Sequence, residues 1–190
     1  MLTQHHRRVP TTLLHAAAVA FAIASGPIAS AQRTGIDYEI TVRGQVLDEL
    51  TGDPMPGAMV LVKRDGHAQD MIVTNTGGFY DVLLERGSEY QIIYTVKGCV
   101  AKRVEISTKH APAKLDVPSI TMTVDITLFP ALVGLPVTVF EQPMGKAAYV
   151  AAARNIEWDA EYGKAMRNRI KAFMAKYDAL QEKQQVLAGR

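Results

Sequence analysis

Apolar and polar residues alternate along much of the segment between residues 36 and 129, and this period of two strongly constrains the fold. The last stretch is the most regular: Ile120, Met122 and Val124 alternate with Thr121 and Thr123. Successive side chains of a strand point to opposite faces, so the pattern predicts strands with one buried face and one hydrated face. Turns rich in glycine and proline separate seven such strands. We therefore expect a mainly β protein built on a seven-stranded antiparallel β-sandwich.

The segment 71–84 is predicted to form a hairpin within this sandwich. Asn75 and the Gly77-Gly78 pair supply a tight turn, because glycine adopts the positive φ values that such turns require. Phe79 and Tyr80 open the second strand and must point to opposite faces. One of the two rings is therefore expected in the core.

The first 31 residues have the pattern of an export signal. A positively charged start that contains Arg7 and Arg8 precedes an apolar run, and Ala29-Ser30-Ala31 supplies the small residues of a cleavage site. The apolar run is shorter than the roughly 20 residues that span a bilayer as a helix, so cleavage is favoured over anchoring. We expect an exported protein that begins at Gln32 and resides in the periplasm or at the cell surface.

Charge and cysteine content limit the function classes of the predicted mature chain. Without the two arginines of the signal, 19 of the 21 basic side chains remain, which equals the 19 acidic ones. A balanced charge argues against nucleic acid as a partner. Cys99 is the only cysteine, so an internal disulfide is impossible and packing must stabilise the domain. Cys99 is expected to be a small, partly buried residue, with an intermolecular bridge as the alternative.

Four motifs in the β segment resemble the carboxypeptidase regulatory-like domain. They are Arg43-Gly44-Gln45-Val46, the turn-rich stretch 51–60, Thr74-Asn75-Thr76-Gly77-Gly78-Phe79-Tyr80, and the stretch 90–98. The resemblance implies a prealbumin-like sandwich, similar to transthyretin, over residues 32–130. It also implies an exported module of the kind that accompanies peptidases, outer-membrane receptors and surface proteins. Cys99 and Asn75 depart from the usual pattern, which has an aromatic residue and an aspartate at these positions.

The pattern changes after residue 130. Residues 131–158 form a connecting segment punctuated by proline and glycine, in which Val137-Thr138-Val139-Phe140 is predicted to be an extra edge strand. Residues 159–190 have a helical period, with Asp159 as the N-cap. The apolar face of this amphipathic helix is the predicted partner-binding site, and it comprises Met166, Ile170, Phe173, Tyr177 and Leu180.

The helix can be partnered in several ways. Residues 144–190 carry nine basic and five acidic side chains, whereas residues 32–143 carry ten basic and fourteen acidic ones. Opposite charge favours docking of the helix on its own sandwich, and apolar burial must then hold it there. Docking in cis or on a partner is favoured over a homodimeric coiled coil, and contact with a membrane surface ranks behind both.

No motif for catalysis, for a cofactor or for a metal site is found in the sequence. The mature chain contains only His67 and His110, neither with ligand spacing, and its serines lack a nucleophile-elbow context. The Cys99 thiol has three basic neighbours that are candidates to lower its pKa, Lys97, Lys102 and Arg103, but no histidine adjoins it in sequence. We therefore expect no enzyme activity, no cofactor and no catalytic or metal-binding residue.

Two functional hypotheses follow from the sequence. The first is a non-catalytic, exported interaction or structural module of the cell envelope that binds an envelope or surface protein through its sandwich and helix. The alternative is a periplasmic or secreted carrier of a small apolar or carbohydrate ligand, held by the sandwich or by the groove between sandwich and helix.

Overall fold

Two β-sheets enclose the main core in the computed structural model, which describes residues 35–188. The strands are β1 (Glu39–Asp48), β2 (Met59–Arg64), β3 (His67–Val73), β4 (Phe79–Leu84), β5 (Glu89–Thr95), β6 (Lys102–Ser107), β7 (Ser119–Thr123), β8 (Ile126–Leu128), β9 (Lys146–Val150) and β10 (Asn155–Trp158). A 3₁₀ helix covers Thr138–Glu141, and the helix α1 covers Ala160–Ala188. The predicted export signal lies outside the described residues.

The smaller sheet has the order β4-β1-β7, and β8 also pairs with β1. The larger sheet has the order β10-β9-β6-β5-β2-β3. Alternate residues of both sheets point inward, for example Val42 and Val82 from the smaller sheet and Val60, Ile92 and Val104 from the larger one. The predicted fold class, a mainly β, prealbumin-like sandwich with a C-terminal helix, is confirmed.

The structure differs in detail from seven antiparallel strands. It has ten strands in the described residues, and β7 and β8 run parallel to β1, as β9 does to β6. These parallel pairings join strands that are distant in sequence, so the local alternation of side chains could not reveal them. Within residues 35–188, no helix is both long and apolar enough to cross a membrane.

The predicted hairpin at residues 71–84 is wrong. Strand β3 lies in the larger sheet and β4 in the smaller one, so the turn between them carries the chain across the core. The Asn75 side chain holds this turn by accepting hydrogen bonds from the N–H groups of Gly77 and Phe79 at 2.9 and 3.0 Å. The prediction for the two aromatic residues is confirmed, because Tyr80 is buried and Phe79 is exposed.

The predicted edge strand at residues 137–140 is also wrong, because most of this stretch forms the 3₁₀ helix. The extra strands of the connecting segment are β9 and β10, which extend the larger sheet. Phe140, in the 3₁₀ helix, is buried. A short apolar run does not distinguish a strand from a helical turn, which explains the error.

Candidate functional site

Helix α1 begins where the sequence predicts. Asp159 Oδ1 accepts a hydrogen bond from the Tyr162 N–H at 2.9 Å, which is the contact expected of an N-cap. The Tyr162 hydroxyl also donates to the Pro143 carbonyl at 2.8 Å. These contacts fix the start of the helix against the connecting segment.

The predicted partner-binding face of α1 packs inside its own chain. Met166, Phe173 and Tyr177 are buried, and Ile170 and Leu180 are partly buried. Phe173 and Tyr177 join Val100, Phe129 and Phe140 in a second core, which we call the aromatic cluster. The rings of Phe140 and Phe173 lie 4.8 Å apart, and those of Phe129 and Tyr177 lie 5.0 Å apart. Little of this face is left exposed for another protein.

Lys102 places a positive charge beside the aromatic cluster. Its Nζ lies 5.0 Å from the centre of the Phe129 ring and 5.6 Å from that of Phe140, and 3.3 Å from Glu49 Oε2. Burial lowers the pKa of Lys102, while the Glu49 carboxylate acts in the opposite direction. This role was not predicted from the sequence, although the alternation with Val104 and Ile106 places Lys102 on the inward face of β6.

The thiol of Cys99 is free and partly buried. Burial raises its pKa, and the charge of Asp48 acts in the same direction. The hypothesis that nearby basic residues lower this pKa is therefore wrong. His67 and His110 are both exposed, and no group of three His, Cys, Asp or Glu side chains among residues 35–188 is arranged to hold a metal ion.

A groove runs between α1 and the residues that precede and enter the 3₁₀ helix. It has a volume of about 410 Å³. Phe173, Leu135 and Val139 provide apolar lining, and Arg169 and Lys176 also line it. We call this the helix groove.

The outer face of the larger sheet carries an exposed apolar strip near the edge strand β3. Met59, Met71 and Val73 are 43%, 58% and 60% exposed, and Leu61 and Ile93 are partly buried. The register makes these residues neighbours, because Met59 pairs with Val73, and Leu61 pairs with both Met71 and Ile93. We call these five residues the apolar strip.

A depression of about 430 Å³ lies farther along the same sheet, near β9 and β10, and both charged and apolar residues line it. Two of its four carboxylates are in ion pairs, since Glu105 lies 2.9 Å from Lys146 Nζ and Glu89 lies 3.2 Å from Lys109 Nζ. The Ser107 hydroxyl also donates to Glu89 at 2.8 Å. Together with the N-cap contact of Asp159, these pairs engage three of the four lining carboxylates.

Neither a family model nor a curated protein matches the chain. Solved structures match it weakly. A 3-chlorocatechol 1,2-dioxygenase from Rhodococcus opacus 1CP has a TM-score of 0.37 and 11% identity, covering 53% of this chain and 62% of that enzyme. The dioxygenase domain of a dioxygenase carbohydrate-binding protein fusion from Streptomyces sp. SirexAA-E has a TM-score of 0.37 and 14% identity, covering 52% and 84%.

A 5-hydroxyisourate hydrolase from Klebsiella pneumoniae has a TM-score of 0.33 and 15% identity, covering 48% of this chain and 99% of that chain. The chain therefore spans less than two thirds of the chlorocatechol dioxygenase but nearly all of the hydrolase. Similarity at this level transfers no substrate, partner or residue role to the chain.

The prediction that the chain is not an enzyme is contradicted by this comparison, since dioxygenases and a hydrolase are among the matching structures. The prediction relied on the absence of local sequence motifs. Catalytic groups are often assembled from separate strands, which a search for local motifs cannot detect.

Proposed function

We propose that this chain is an exported interaction module of the cell envelope, of the carboxypeptidase regulatory-like family, which docks a partner protein on the apolar strip. The observation that carries the proposal is the contiguity of the strip across β5, β2 and β3. Contiguous exposed apolar patches on soluble proteins often serve as interaction sites, whereas scattered apolar residues need no explanation. The export signal predicted from residues 1–31 supports the location.

The position of the strip favours a protein as its occupant. It is a surface on one sheet face that includes part of the edge strand β3, on which six of seven residues are exposed. A shallow sheet face buries little of a small molecule but offers a broad contact to another folded surface. The helix face named in the sequence analysis is buried in cis, so the strip replaces it as the proposed contact surface.

Site-specific photo-crosslinking in cells that export the chain tests this function. A crosslinking residue at position 71 should give one discrete adduct with a different protein, because Met71 lies within the strip. Position 83 is the matched control, since Leu83 is 66% exposed on the smaller sheet and its cross-strand neighbour is Thr41.

Val73→Glu should abolish the adduct at position 71, and Leu83→Glu should leave it intact, because only the former places a charge in the strip. Absence of an adduct, or equal adducts from positions 71 and 83, would contradict the proposal. An adduct between two copies of this chain would show that the strip is occupied by a second copy of the chain and not by a different protein.

A further inference from the structure

We propose that the helix groove is a binding site for a single-chain amphiphile with an anionic head, specifically a long-chain carboxylate. This site is separate from the apolar strip, and its ligand is a small molecule. The inference rests on an apolar lining that remains open beside two cations. It is independent of the proposed function.

The lining of the groove suits an alkyl chain. Phe173 is only 8% exposed and contributes part of an apolar surface that is completed by Leu135 and Val139. Ala172 also lines the groove, and its short side chain leaves space that a larger residue would fill. The lining residues include no carboxylate. The groove therefore offers an apolar surface without a negative charge to repel an anion.

Arg169 and Lys176 provide the charge. They are seven residues apart on α1, which is two turns or about 10 Å along the axis, so both lie on the same flank of the helix. Among the described residues, neither forms an ion pair or a side-chain hydrogen bond, whereas Lys102, Lys109 and Lys146 are each paired with a glutamate. Their long side chains can both reach an anion held between them.

The dimensions of the groove favour a single acyl chain. Its volume of about 410 Å³ lies at the lower end of the range for small-molecule sites, roughly 300–1,000 Å³. A two-chain lipid or the helix of a partner, about 10–12 Å in diameter, requires a larger recess. A membrane surface is disfavoured for a different reason, since the apolar face that α1 would insert is already buried in the aromatic cluster.

Isothermal titration calorimetry of the mature chain with dodecanoate, below its micelle concentration, tests the site. The wild type should bind dodecanoate and should bind neither acetate nor 1-dodecanol with comparable affinity, because the head and the chain are both required. Arg169→Gln with Lys176→Gln should weaken binding about tenfold or more, from the loss of charge-assisted hydrogen bonds. Ala172→Leu should also weaken it by filling the groove without a change in charge.

Two control variants match these changes. Lys164→Gln with Lys171→Gln removes two exposed cations at the same spacing from a different flank of α1, and Ala175→Leu adds the same side chain at an exposed position. Both should bind dodecanoate like the wild type, and circular dichroism should show an unchanged fold in every variant.

Four results would overturn the proposal: no binding of dodecanoate by the wild type, equal binding of 1-dodecanol, equal binding of acetate, or equal loss in the matched lysine variant. Stronger binding to phosphatidylglycerol vesicles than to dodecanoate would assign the groove to a membrane surface instead. If the protein does not bind dodecanoate but still forms the crosslink at position 71, the proposed groove site is wrong while the proposed function stands.

Discussion

Tyr80 and Tyr94 join the two sheets through hydrogen bonds at the centre of the main core. The Tyr80 hydroxyl donates to the Val124 carbonyl at 2.6 Å and lies 2.7 Å from the Tyr94 hydroxyl. Because the Tyr80 hydrogen is committed to Val124, the Tyr94 hydroxyl must donate to Tyr80. Both hydroxyl groups therefore have an acceptor for their hydrogen, which is the condition for placing hydroxyl groups in a core.

The direction of these hydrogen bonds predicts that substitution of the two tyrosines has unequal effects on stability. Tyr80→Phe leaves the Val124 carbonyl and the Tyr94 hydroxyl without partners, and should lower the free energy of unfolding by about 2–3 kcal/mol. Tyr94→Phe removes only the hydrogen bond that Tyr94 donates to Tyr80, and should lower the free energy of unfolding by about 1 kcal/mol. Urea denaturation of both variants measures the difference. An equal or larger loss in Tyr94→Phe would show that the hydrogen-bond direction is wrong.

Gly44 shows a limit of prediction from the local sequence. The sequence places it in an alternating stretch and within a family-like motif, but gives no reason for a glycine. In the fold, a Cβ at this position would collide with the Val124 carbonyl oxygen, while the adjacent Gln45 N–H donates to Asp125 Oδ1 at 2.9 Å. The link between β7 and β8 lies against β1 at this point. The requirement for glycine comes from a contact between residues 80 positions apart, so the local sequence pattern cannot reveal it.

At the scale of elements, the strands and the helix could be predicted where their own hydrophobic residues recur with a regular period. β1, β4 and β7 show the alternation that burial requires, and Asp159 and the apolar face of α1 were found from spacing. The missed elements have no such period. β9 and β10 have only five and four residues and depend on pairing with β6 and with each other. The helix groove could not be located for the same reason, since its residues outside α1 lie in or just before the 3₁₀ helix, which has no such period.

The docking of α1 predicts a local response to substitution in its apolar face. Phe173→Asp places a carboxylate between the rings of Phe129 and Phe140, where burial of an unpaired charge is costly. The helix should detach and become sensitive to protease. The sandwich should keep its β spectrum, because the aromatic cluster is separate from the core between the sheets.

Ala175→Asp is the control for that experiment, since position 175 is exposed on the same helix. It should leave the tail resistant to limited proteolysis. Equal cleavage of the two variants, or a protected tail in Phe173→Asp, would refute docking through this face.

At the scale of the whole molecule, buried groups of both cores give the stability a defined pH dependence. Burial raises the pKa of Tyr80 and that of Tyr94 above the ordinary value of 10.0. The folded chain therefore keeps these protons after the unfolded chain begins to release them. Their stabilising contribution is complete below pH 10 and is lost as the pH rises above it.

Lys102 acts in the opposite direction. Burial lowers its pKa below the ordinary value of 10.5, so the folded chain releases this proton at a lower pH than the unfolded chain does. The unfolded state then binds more protons, and the contribution of Lys102 to stability increases as the pH rises towards 10.5. The aromatic cluster thus gains stability over part of the range in which the tyrosine pair begins to lose it.

Urea denaturation of the wild type, Lys102→Met and Tyr94→Phe from about pH 8 to pH 11 separates the two effects. The stability of the wild type relative to Lys102→Met should increase with pH up to about 10.5, because methionine keeps an apolar side chain beside the rings but has no proton to release. Tyr94→Phe should lose less stability above pH 10 than the wild type does, since one of the two raised pKa values is absent. Parallel profiles for the wild type and Lys102→Met would show that folding does not lower the pKa of Lys102, because the ion pair with Glu49 would then balance the cost of burial.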